Sequence, residues 1–130
     1  MMAEYYSEDG YPFNEEQSRA QLTRFINSPT LGNLYVATAD KTVVGYLAIT
    51  FGFSFEYGGQ DAFIDELYIV EKYRGKGLGQ EAMKLAEIYC KNKGVQALHL
   101  EVERHRTAAI SLYEKDGFRQ TGRILLTKRL

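Results

Sequence analysis

The richest stretch of the chain is Tyr73-Arg74-Gly75-Lys76-Gly77-Leu78-Gly79-Gln80. Alternate glycines let a main chain approach a ligand and turn successive amides into one space. A helical period begins at Leu78, so the unpaired N–H groups of the turn also lie at the positive end of a helix dipole. Arg74 and Lys76 add charge at the same spot. Chemically, this is a cradle for a pyrophosphate. Spacing separates it from two other nucleotide-binding turns. For the dinucleotide fingerprint G-x-G-x-x-G the last glycine comes too early, at Gly79, with Gln80 after it. A Walker A loop, G-x-x-x-x-G-K-S/T, is absent. The plainer alternative is a helix start with no ligand. Glycines inside a helix cost roughly 1 kcal/mol each, and that alternative offers nothing to offset them.

Other reactive side chains suggest less. His99 and His105 are too few for a metal site and lack a ligand-type partner at helical spacing, so no metal is expected. Cys90, the only cysteine, reads as buried helix packing. The ten tyrosines are dispersed and have no basic stripe beside them, which favours core and rim over base stacking. A formal charge of −1, with charges interleaved as in Glu71-Lys72-Tyr73-Arg74, argues against a nucleic-acid partner. No apolar run approaches the ~20 residues that span a bilayer. The start, Met1-Met2-Ala3-Glu4-Tyr5-Tyr6, has neither the basic flank nor the apolar core of a signal peptide. The expectation is a soluble, cytoplasmic protein with no membrane partner. At 130 residues, 45% apolar and 25% charged, residues 1–130 should form one globular domain.

The elements that must position the turn follow from pattern. Residues 1–13 show no clear period. Asn14, with Gln17 three residues on, reads as a capping box for a helix running to about Asn27 and burying Leu22, Phe25 and Ile26. Strand-like runs follow at Leu34 to Ala39 and Thr42 to Phe53, joined by a tight Asp40-Lys41 hairpin, then at Ala62 to Val70. A helix from Leu78 to Lys93, periodic through Ala82, Leu85, Ala86 and Tyr89, ends at Gly94. Val95 to Glu103 is the next strand, parallel to the one before the helix. A short helix from Thr107 to Lys115 stops at Asp116-Gly117, and Phe118 to Gly122 and Ile124 to Leu130 look like final strands. The class is α/β, with a mixed, mostly antiparallel central sheet flanked by helices.

In this setting the chain resembles the Gcn5-related N-acetyltransferase (GNAT) superfamily. Arg74-Gly75-Lys76-Gly77-Leu78-Gly79 matches its pyrophosphate motif Q/R-x-x-G-x-G/A. Asp65-Glu66-Leu67-Tyr68-Ile69-Val70 looks like its fourth strand, and Leu112-Tyr113-Glu114-Lys115-Asp116-Gly117-Phe118 like its L-Y-x-x-x-G-F signature. The similarity runs from about Leu34 to the C-terminus. Two departures stand out. The family's usual first strand is missing, which leaves a sheet edge that a partner subunit in a homodimer, or a longer native chain, would cover. Arg106 stands where the family often has a cofactor-contacting Asn; it could bind a phosphate but cannot accept a hydrogen bond.

The resemblance implies transfer of an acetyl group from acetyl-CoA to a primary amine, by direct attack in a ternary complex. It places the pyrophosphate on Arg74 to Gln80 and pantetheine along the backbones of Leu67, Tyr68 and Ile69, with an N–H near Leu67 or Tyr68 steadying negative charge on the carbonyl oxygen. Tyr113 matches the acid that protonates the departing thiolate; without the resemblance it reads as core beside Ile110 and Leu112. Three acids compete to take the amine proton. Glu101 matches the base of some members, whereas Asp65 and Glu66 match acids that bind cationic substrates in the polyamine-acetylating branch. Strand alternation puts Asp65 and Glu66 on opposite faces of the sheet, so at most one of them should line the cleft. These acids, with Asp61 and Glu103, would suit a small cationic amine. Acetylation of a protein N-terminus or lysine, and a non-catalytic acyl-CoA-binding regulatory module, are the alternatives.

Overall fold

The computed structural model describes residues 1–130, in the order α1 (Met2–Glu8), α2 (Glu15–Ile26), β1 (Gly32–Ala39), β2 (Thr42–Ser54), β3 (Gly59–Ile69), a 3-10 turn (Glu71–Tyr73), α3 (Leu78–Asn92), β4 (Ala97–Leu100) and α4 (Thr107–Lys115). These fall into two compact units, Met1–Leu100 and Glu101–Leu130. No helix is long and apolar enough to cross a membrane.

Local chemistry sets the helix ends. The Asn14 side chain accepts from the Gln17 N–H at 2.9 Å and starts α2 as expected. Three helices end alike, with Gly10, Gly94 and Gly117 in the left-handed region just past the cap. The next N–H then reaches back five residues, from Tyr11 to Tyr6 at 2.8 Å, Val95 to Cys90 at 3.0 Å and Phe118 to Tyr113 at 3.0 Å. After α1 and α4 an aromatic pair packs across this closure, Tyr6 with Tyr11 and Tyr113 with Phe118. The L-Y-x-x-x-G-F pattern of α4 is therefore also a helix stop.

The sheet has the order β1-β2-β3-β4. β1, β2 and β3 form an antiparallel meander, and β4 returns parallel to β3 through α3. Asp40 and Lys41 both have positive φ, 49° and 64°, which gives the β1–β2 hairpin the twist that its strands need. In register, Tyr46 and Ala48 of β2 lie opposite Tyr68 and Glu66 of β3, on the face that receives Tyr5 and Tyr6 of α1. Leu47 and Ile49 lie opposite Leu67 and Ile64 on the other face, where Tyr89 of α3 meets Tyr35 and Phe51. Val44, Leu47, Ile49, Ala62, Met83, Ala86 and Cys90 are buried in the core.

Several expectations need correction. Ile64 and Leu67 share a face although they are an odd number of residues apart, because Asp65 is the extra residue of a bulge. The alternation that sent Asp65 and Glu66 to opposite faces breaks there. β4 is only Ala97–Leu100, so Glu101, Val102 and Glu103 lie outside the sheet. Its last pair, Leu100 with Ile64, sits immediately before the bulge. Phe118 to Gly122 and Ile124 to Leu130 are not strands. Their sequence favours extension, but a strand exists only with a partner ladder, and Ile124, Leu125 and Leu126 are exposed. Ile26 is exposed, as is Leu85, since the buried stripe of α3 runs through Met83, Ala86 and Cys90.

Candidate active site

The glycine turn forms where β3 ends and α3 begins. Gly75 and Gly77 have φ of 72° and 87°, which a side chain would strain, and Gly77 is the N-cap of α3. Gly79 differs. It lies in the first helical turn without positive φ, and a Cβ there would meet no protein atom within 4 Å. Nothing inside the chain requires glycine at that position. Gly79 does line a cleft of about 210 Å³ with Ile69, Tyr73, Arg74, Gly75 and Leu78. The first N–H used within the chain after the turn is that of Glu81, which donates to Gly77 at 3.0 Å. Those of Leu78, Gly79 and Gln80 are the unpaired donors of a helix start. A phosphate-bearing group fits this site, because free donors, a dipole end and a position kept bare of side chain coincide there. Lys76 stays exposed, its ammonium 5.2 Å from the centre of the Tyr73 ring.

Beside the cleft runs an open strand edge. β4 pairs β3 only from Asp61 to Ile64, so Asp65–Ile69 have β2 on one side and no strand on the other. The Val70 N–H points to β2, donating to Val44 at 2.9 Å, and alternation then turns the main-chain groups of Tyr68 to β2 as well. Those of Leu67 and Ile69 face the open edge. The Ile69 carbonyl already accepts from Arg74 Nε at 2.7 Å. Arg74 itself is committed elsewhere, its Nη2 lying 2.9 and 2.8 Å from the two Glu8 carboxylate oxygens.

The acid on this strand that the fold singles out is Glu66. One carboxylate oxygen accepts from Tyr6 of α1 at 2.8 Å and the other from Tyr46 of β2 at 2.9 Å. Burial, and then Glu66 itself, raise both phenol pKa values well above the ordinary one, so both remain protonated donors. The charge of Asp65 also acts on Tyr6, which places both acids near one phenol. Asp65 is exposed, although desolvation raises its carboxyl pKa. Asp61 pairs instead with His99, at 3.5 Å. The sequence reading missed Tyr6, Tyr46 and Glu8. The spacing Tyr6…Gly10-Tyr11, which repeats that of Tyr113…Gly117-Phe118, could have located the end of α1. Nothing local signals that Tyr6 meets a carboxylate 60 positions away.

The remaining candidates belong to the second unit. Arg106 is the N-cap residue of α4 and Tyr113 lies in its last turns, half-buried. Burial raises the Tyr113 pKa, against a smaller lowering by Arg106. Glu101 is exposed and follows β4.

Known proteins agree with this architecture. An uncharacterized N-acetyltransferase of Bacillus subtilis (strain 168), YycN, is 34% identical over 91 residues, covering 70% of this chain and 56% of its own length. The chain thus spans about half the length of that curated relative. The crystal structure of an integron cassette protein from the mobile metagenome of Cole Harbour Salt Marsh superposes with a TM-score of 0.88 at 32% identity, over 99% of this chain and 80% of that one. The aminoglycoside N-acetyltransferase AAC(6')-Iy, crystallised with CoA, shares the fold with a TM-score of 0.71 at 17% identity, over 86% of this chain and 87% of that one. The acetyltransferase (GNAT) family matches residues 1–118, and with the glycine turn and the bulged strand in place, the chain belongs to that family.

Proposed function

We propose that the protein is an N-acetyltransferase that moves an acetyl group from acetyl-CoA to the primary amine of a small cationic acceptor. The observation that carries this reading is Gly79, bare of side chain for no internal reason at a cleft lined by a helix start. The amides of Leu78, Gly79 and Gln80 hold the diphosphate, and the open-edge main chain of Leu67 and Ile69 aligns the pantetheine arm. Acetyl-CoA supplies the thioester whose carbonyl carbon the amine attacks. Leu67 rather than Tyr68 presents the N–H that faces the carbonyl oxygen, since the N–H of Tyr68 faces β2.

An alkylamine of pKa about 10.4 is an ammonium near neutral pH, and freeing it costs roughly 4–5 kcal/mol. Glu66 takes that proton, directly or through a water, as the new C–N bond forms. Its two phenol partners hold the carboxylate in place and leave a second lone pair on each oxygen. Together with Asp65 and the surrounding tyrosine rings, it makes a locale that attracts a cation. The departing thiolate needs a proton as the C–S bond breaks, and Tyr113, which matches the family's acid, has a raised pKa that keeps its phenol in the acid form.

The test is thiol release from acetyl-CoA over a panel of diamines, amino acids, aminoglycosides and short peptides. At least one cationic amine should exceed the no-acceptor rate, and Glu66→Gln should lower that turnover about 10²–10³-fold. Release that no amine raises above the no-acceptor rate would overturn the reading.

A further inference from the structure

Arg74 opens the glycine turn and lines its cleft, yet most of its donors are used within the chain. Nε donates to the Ile69 carbonyl, at the open edge of β3, over 2.7 Å. Nη2 donates to both oxygens of Glu8, at 2.9 and 2.8 Å. The Tyr68 hydroxyl donates to the same carboxylate at 3.2 Å, and the Tyr68 ring lies 5.3 Å from the guanidinium carbon. Only the Nη1 hydrogens are left for a ligand.

Two roles suit such a carboxylate. It could compete with a diphosphate for Arg74 and keep the cradle closed. Alternatively, it could hold the guanidinium still, so that a ligand meets Nη1 already in place. The bond to Ile69 favours the second role. The guanidinium is tied at two points, to α1 and to the end of the strand that the turn follows. Swinging away would break the bonds to Glu8 and uncap the Ile69 carbonyl together. We infer that Glu8 is a positioning residue for the cofactor turn, acting through Arg74, which it fixes between α1 and the end of β3 so that Nη1 and the turn amides are ordered before a diphosphate arrives. Ordering in advance lowers the entropic cost of binding. The inference rests on the proposed reading of the turn as a CoA site.

Calorimetry with CoA on the full chain tests it without an acceptor. If the natural protein does not bind CoA, the reading of the turn fails, and this inference with it. If it binds, Glu8→Gln should raise Kd about 10-fold, as expected for losing hydrogen bonds to a charged group. Arg74→Lys should weaken binding comparably. The double variant should be no weaker than Arg74→Lys alone, since one residue acts through the other. An unchanged Kd with a lowered Tm would mean that the contact is merely structural, and a tighter Kd would make Glu8 a guard; either overturns the inference. So would losses that add in the double variant. If Glu8→Gln does not fold, the Arg74 Nε–H resonance of the natural protein decides. It should stay protected from exchange at saturating CoA, and its loss of protection would show that Arg74 leaves Ile69.

Discussion

The glycine turn and the Glu66 cluster are both built on β3, but from different materials. The turn uses main-chain amides from one continuous stretch, Gly75 to Gln80, with their direction set by two positive φ angles and a helix start. The cluster brings together side chains from α1, β2 and β3, and its two hydrogen bonds link residues 60 and 20 positions apart. A site made of backbone tolerates many side-chain changes but not the loss of a glycine. A site made of side chains depends on each distant element staying docked. The contrast predicts that the two sites can be broken separately.

The largest effect should come from crossing them. Gly79→Val puts a branched side chain into the cleft and should raise the CoA Kd at least ~100-fold, while the fold changes by only about 1 kcal/mol or less, since valine suits a helix better than glycine. Glu66→Gln should do the opposite, sparing CoA affinity while turnover falls. Calorimetry and thiol release on the same two variants check the pair, and a joint loss in either variant would show that the sites are not separable.

Tyr46→Phe comes next. It removes a hydrogen bond to a charged group at a buried position, which should cost about 1.5–3 kcal/mol in urea unfolding. Tyr6 is less buried and should cost less. The same phenols set a pH dependence. Their pKa values are raised in the folded state, so their contribution to stability is full below about pH 10, the ordinary phenol value. It is lost as pH climbs from there toward the folded values, because the unfolded chain ionises first. Urea titrations between neutral pH and pH ~11 should show that fall, and it should be shallower in Tyr46→Phe.

The smallest effect should lie outside both sites. Asn14→Ala removes the α2 cap and should cost about 1 kcal/mol, with CoA affinity and turnover unchanged. A change in either would mean that α2 takes part in the site.

The parts that could be read in advance are those whose causes are local. The Asn14 cap, the Asp40-Lys41 hairpin, the Gly94 and Gly117 stops and the start of α3 each depend on one or two residues at short separation. The parts misread depend on partners. β4 stops at Leu100 and Asp65 bulges because of how neighbouring strands register, and no property of Asp65 or Glu101 reports that.

The order of residues alone therefore determined the glycine turn, since a glycine at positive φ ahead of a helix carries its geometry with it. Tertiary structure decided which acid is held, which backbone groups face the open edge and that Arg74 answers to Glu8. Those outcomes are contacts across the fold. They are fixed by packing and pairing energies that no short stretch of sequence contains.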